Sequence, residues 1–140
     1  MMTLDDVVDT FDVLGDWDQR YQYLVELGQK LPELPETVRT EENRVKGCMS
    51  QVWVSAYRDP EAPERIRYRG DCDTTIIKGV LTLLIQLVDR HRIEEVEALD
   101  VDDFFARLKL DDHLSPNRHV GVYAIVELMK KQARELGPAT

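Results

Sequence analysis

Asn43-Arg44-Val45-Lys46-Gly47-Cys48-Met49-Ser50-Gln51-Val52-Trp53-Val54-Ser55-Ala56-Tyr57 is the stretch on which the fold turns, because the hydrophobic period changes within it. From Gln51 onward Val52, Val54 and Ala56 fall on one side and Trp53, Ser55 and Tyr57 on the other, the alternation of a half-buried strand. Asp59-Pro60-Glu61-Ala62-Pro63 is turn chemistry, and the run from Arg65 to Arg69 then alternates arginine with Ile66 and Tyr68. That pattern predicts an antiparallel return with one wet face, and so a hairpin. The sequence leaves open whether a third short strand lies near Tyr68 to Cys72 or is fused with the second. Upstream, Gly47 removes a Cβ where the backbone needs positive φ or close approach, which projects the thiol of Cys48 from a loop tip.

On the N-terminal side the period is helical. Thr3 and Asp6 form a capping pair ahead of Leu4, Val7, Val8, Phe11 and Leu14, and Gly15 supplies a stop. Asp16 caps a second helix whose face carries Trp17, Tyr21, Leu24, Gly28 and Leu31 before Pro32 and Pro35, with Gly28 marking close packing. Glu33 to Glu42 reads as an irregular acidic connector. On the C-terminal side, Asp73 is the expected cap of an almost wholly apolar helix, Thr74 to Val88, which must be central. Ile93 to Val96 predicts one helical turn, and Asp100 with Asp103 caps a short helix. Ser115-Pro116 opens the last helix, which carries Val122, Val126, Met129, Ala133 and Leu136 to a stop at Gly137-Pro138. The expectation is one α+β domain over residues 1–140, a small antiparallel sheet of about three strands packed against several α-helices.

At 140 residues the chain is long enough to bury its own core without staples. Its net charge of −9 argues against nucleic acid or an anionic membrane as partner, since both demand an excess of Lys and Arg. No apolar run reaches the length of a membrane span, and Met1-Met2-Thr3-Leu4-Asp5-Asp6 has acids where a signal peptide carries cations, so a cytoplasmic protein is expected. In a reducing compartment the two cysteines, Cys48 and Cys72, are expected as free thiols, open to thiol chemistry.

A free cysteine is most often a small buried hydrophobe. Cys48 departs from that pattern because it follows a glycine and two cations, Arg44 and Lys46, which favour the nucleophilic thiolate. Val45, Met49, Val52 and Trp53 are expected to shelter the sulfur, and burial pulls the other way, toward the neutral thiol. Arg118 sits in the first turn of the last helix, where a cation opposes the helix dipole, a poor place for a merely solvated charge. His113 reads as a structural residue before a cap, Asp71 and Asp73 as turn and cap residues, and Cys72 as a small turn residue. Two separated cysteines and three scattered histidines give no ligand spacing for zinc or a cluster, and Lys78-Gly79 lacks the glycine loop of a phosphate site.

The run Arg44-Val45-Lys46-Gly47-Cys48-Met49-Ser50-Gln51-Val52-Trp53 resembles the Gly-Cys-x-Ser-x-Val-Trp signature of the SufE-like sulfur-acceptor proteins. The likeness extends through Trp17 to Pro35, Gly70 to Gly79 and His113 to Gly121, nearly the whole chain, although serine is usual where this chain has Cys72. The resemblance implies a fold of the SufE and IscU kind. It also implies that Cys48 takes persulfide sulfur from a pyridoxal-phosphate cysteine desulfurase of the SufS or CsdA kind and passes it to an iron–sulfur scaffold such as SufB. Arg118 matches an arginine of the family and is expected to support the cysteine loop. On this reading the chain enhances its desulfurase, needs no cofactor of its own, and is not a stand-alone enzyme. A noncatalytic adaptor that regulates a desulfurase and an IscU-like scaffold that binds metal itself are the alternatives.

Overall fold

The structure, a computed structural model, describes residues 3–48 and 50–137. Met1, Met2, Met49 and Pro138, on which parts of the leader, loop and helix-stop readings rest, lie outside the described residues. The elements run α1 (Leu4–Leu14), α2 (Trp17–Gln29), β1 (Val52–Arg58), β2 (Ile66–Cys72), α3 (Thr75–Val88), α4 (Ile93–Glu97), α5 (Val101–Leu108) and α6 (Pro116–Leu136).

Local chemistry sets most of these boundaries. Thr3 Oγ1 accepts the Asp6 N–H while the Asp6 carboxylate accepts the Thr3 N–H at 2.9 Å, a reciprocal capping box, and Gly15 ends α1 at φ +80°. Asp16 and Asp100 accept the N–H groups of Gln19 and Asp103 at the starts of α2 and α5. Ser115 caps α6 with Pro116 at its first position. At α3 the expected cap is displaced by one residue. The N-cap is Thr74, which makes no side-chain cap bond, and the Asp73 carboxylate is engaged elsewhere.

β1 and β2 pair antiparallel with Val52 opposite Cys72 and Arg58 opposite Ile66. The sheet has two strands where about three were expected, because β2 runs unbroken through Cys72. A third segment does touch the sheet, on the other side of β1. Val45 N–H donates to Val52 O and Val54 N–H to Asn43 O, both at 2.8 Å, around a single bridge between Arg44 and Trp53.

α3 is the centre of the core, with Ile77, Val80, Leu81, Leu83, Leu84 and Val88 buried. α2 crosses it where both helices carry glycine. A Cβ on Gly28 would lie 3.1 Å from Gly79 N, and one on Gly79 would lie 2.2 Å from Leu24 O, so the two backbones are in contact. α6 covers β1 and reaches α3, burying Val122, Ile125, Val126, Met129 and Ala133. Tyr68 fastens the sheet to it by donating to Met129 O at 2.7 Å. No helix among the described residues is long and apolar enough to cross a membrane.

Candidate functional site

The segment from Lys46 to Gln51 closes a loop between Val45 and Val52, and Cys48 lies near its tip. Gly47 has φ +84°, a conformation that a side chain tolerates poorly, and so turns the chain into the cysteine at little strain. Both arms of the loop are pinned. On the entry arm, the carboxamide of Gln132 reaches out from α6, donating to Val54 O at 2.7 Å and Asn43 Oδ1 at 3.2 Å and accepting from Ala56 N at 3.0 Å. On the exit arm, Asp73 Oδ1 accepts the Gln51 N–H at 3.0 Å, Asp73 N–H donates to Gln51 O at 3.1 Å, and the hydroxyls of Ser50 and Thr74 are 2.5 Å apart.

Between those arms the thiol of Cys48 is half-buried against α6, at the place where Gly121 has no side chain. A cleft of about 250 Å³ opens beside it, lined by Cys48, Ser50, Thr74, Ile77, Ser115, Asn117 and Arg118. The structure therefore brings Cys48 and Arg118 together. Arg118 carries the only charge among the described residues lining that cleft. Ser115 and Asn117 bring the first turn of α6 to the same cleft, while the thiol itself rests against Gly121, further along that helix.

The other flanking groups take different roles from those their sequence positions suggest. Arg44 and Lys46 both pair with Glu41 and line a separate, mixed-charge groove with α6. Val45 and Val52 are fully buried in the core and Trp53 lies under the Arg39 guanidinium, so the apolar wall of the cysteine cleft is Ile77 instead. His113 stacks on Trp17 with ring centroids 3.7 Å apart, and its carbonyl accepts the Tyr21 hydroxyl, a structural setting.

Cys72 is buried at 5% exposure, with its sulfur between the Thr74 N–H at 3.4 Å and the Thr74 carbonyl at 3.6 Å. Burial pushes its thiol up to about 11, against the lowering effect of the Thr74 N–H, and Asp73, Cys48 and Asp71 add to the rise. Burial also pushes the neighbouring Asp71 carboxyl up. Arg39 at 2.6 Å, the Cys72 N–H at 2.8 Å and Lys78 at 3.2 Å outweigh that and hold it below the usual carboxylate range. Asp71 is thus a structural hub that ties the connector before the loop to the start of α3. Among the described residues no three His, Cys, Asp or Glu side chains converge as a metal-ligand set.

Gly121, Gln132 and the Asp73 carboxylate are the parts of the site that the sequence reading missed. A signal for two of them was present: Gly121 and Gln132 are three helical turns apart on one face of α6.

Residues 5–133 match the family model described as SufE, the Fe-S metabolism associated domain. An uncharacterized SufE-like protein of Rhizobium meliloti is 35% identical over 140 residues, covering 99% of this chain and 100% of its own. Another, from Rhizobium etli, is 38% identical over 136 residues, covering 96% of this chain and 91% of its own. The solution structure of a hypothetical protein from Thermus thermophilus superposes with a TM-score of 0.78 at 22% identity, covering 96% of this chain and 98% of that one, a likeness of fold.

Proposed function

This chain belongs to the SufE family of Fe–S metabolism associated domains, and on that premise we propose that Cys48 is a persulfide carrier that accepts sulfur from a cysteine desulfurase. The observation that carries the reading is the shared cleft of Cys48 and Arg118 at the N-terminus of α6. Sulfur transfer needs one thiolate and a place that stabilises anionic sulfur.

The Cys48 thiolate attacks the outer sulfur of the donor's persulfide. The donor's S–S bond breaks, its cysteine leaves as thiolate with the electron pair, and Cys48 holds the terminal sulfur. A nucleophile on the recipient, an iron–sulfur scaffold, then attacks that outer sulfur, and Cys48 leaves as thiolate. Arg118, on the wall of the same cleft, stabilises the anion in both directions. The pyridoxal phosphate that generates the first persulfide belongs to the desulfurase.

Intact-mass measurement after incubation with a cysteine desulfurase, cysteine and pyridoxal phosphate tests the reading. The wild type gains the mass of sulfur in a form that reductant removes, Cys48→Ser gains none, and Cys72→Ser behaves as wild type. Persulfide located on Cys72 alone overturns it.

A further inference from the structure

A second cleft, of about 370 Å³, lies along the edge of β2 that faces away from β1. Its position follows from the ladder. In an antiparallel pair the N–H and C=O of one residue point to the same side. Val54 donates its N–H to Asn43 and accepts from Gln132 at its carbonyl, and Ala56 donates its N–H to Gln132, so the backbone groups of both residues point away from β2. Their register partners Gly70 and Tyr68 therefore point away from β1, along the outer edge of the sheet.

At the start of that edge the chain covers itself. Ile66 exchanges hydrogen bonds with Arg90 and His91, and Tyr68 N–H reaches the Asp89 carboxylate at 3.4 Å. Beyond it, the Tyr68 carbonyl and both backbone groups of Gly70 have no hydrogen-bond partner among the described residues; both residues are largely buried, and both line the cleft. An unpaired stretch of strand edge is a template for another extended chain.

The rim selects the chemistry of that chain. Arg67 is engaged by Asp89 at 3.0 Å, but Arg69, stacked on the Tyr57 ring at 5.0 Å, and Lys30 make no ion pair among the described residues. The same lining carries Glu33 and Asp89, so three cations face two acids, a local excess of positive charge in a protein of net charge −9. A second copy of the chain is a poor occupant, because pairing β2 with β2 sets Arg69 near its own counterpart and like charges across a strand pair are unfavourable.

We propose that the Tyr68–Gly70 edge binds an extended acidic peptide segment of another protein by strand addition. Two backbone positions supply the hydrogen bonds, and Arg69 and Lys30 supply the preference for acidic side chains. The site is independent of sulfur transfer at Cys48.

The test uses the full-length, isotope-labelled chain and leaves Gly70 intact, because a Cβ there would lie 2.5 Å from Trp53 O. The probes are a blocked octapeptide of alternating Thr and Glu, the same peptide N-methylated at its Thr amides, and an alternating Thr–Lys octapeptide. The acidic peptide is expected to shift the Gly70 amide resonance and to slow its hydrogen exchange at least about tenfold at saturation, while the other two leave it unmoved. Arg69→Glu, folded by its otherwise unchanged spectrum, weakens binding at least about fivefold. An unmoved Gly70 amide, equal binding of the N-methylated or lysine peptide, or protection that follows protein concentration without peptide each overturns the proposal, the last in favour of a second copy.

Discussion

Cys48 and Gly121 share one space: a Cβ on Gly121 would lie 2.8 Å from Cys48 Sγ, closer than real contacts allow. The resting thiol is seated on bare helix backbone, and the first prediction follows from that seat. In Gly121→Ala the helix gains propensity, and the atom that must yield is the end of a short side chain on a loop. Cys48 is expected to be pushed outward, so iodoacetamide labels it about three- to tenfold faster while the urea midpoint changes by less than about 1.5 kcal/mol equivalent. An unchanged labelling rate means that the seat does not limit access to the sulfur.

Arg118 is the one charged residue among the described residues that line the cleft with Cys48. Arg118→Gln is expected to slow sulfur loading by about five- to thirtyfold, the effect of roughly 1–2 kcal/mol of lost charge stabilisation. Arg118→Lys keeps the charge and recovers part of the rate. Single-turnover loading followed by mass measures both, and a Gln variant that loads as fast as Lys removes Arg118 from the mechanism.

Asp73 holds the exit arm of the loop through the Gln51 N–H. Asp73→Ala is expected to cost about 0.5–1 kcal/mol of stability, as the loss of one exposed hydrogen bond does. The same change accelerates hydrogen exchange at Gln51 and alkylation at Cys48, whereas Asp73→Asn, which keeps an acceptor oxygen, stays closer to wild type. Exchange read residue by residue separates this local loosening from global unfolding.

Cys72, raised to about 11 by burial, links stability to alkaline pH. A thiol whose folded value lies above its unfolded value binds more protons in the native state. Its contribution is therefore complete below about pH 8.5 and is lost as pH climbs through 11. Urea unfolding of wild type and Cys72→Ala at pH 8 and pH 11 is expected to show a steeper loss for wild type, the difference being on the order of 2 kcal/mol. Parallel slopes refute the linkage. At pH 8 native Cys72 also stays unalkylated while Cys48 reacts.

The parts of this molecule that the sequence discloses are those decided within a few residues. Thr3, Asp16, Asp100 and Ser115-Pro116 each mark a helix start through a bond to the amide three positions on, and the period of two after Gln51 survives folding as β1. Gly47 before Cys48 announces the loop in the same local manner.

What the sequence conceals depends on distant segments. An aspartate near a helix start can serve that helix or any amide that folding brings past it, and Asp73 serves Gln51. The Arg44 contact with Trp53 is a single bridge with no alternation to betray it, and periodicity, which leaves open whether a short strand near Tyr68 to Cys72 is separate from the second, gives no sign of a segment on the other side of β1. Arg44 and Lys46 look like the activating charges because they adjoin the cysteine, yet Glu41 engages both, and the cation that lines the cysteine cleft is carried on α6.

The fixed anchors of the cysteine loop set a reach. With Val45 held to Val52, the chain from Val45 to Cys48 can extend no more than roughly 10 Å, three residues at full stretch. That is a short tether beside the swinging arms by which flexible carriers ferry a group between remote centres. Under the carrier reading, donor and recipient must each come to the surface around Cys48, and sulfur changes hands only while two proteins are in register. Traffic is then governed by the lifetimes of successive encounters, and a recipient that competes with the donor for the same face sets the pace of delivery.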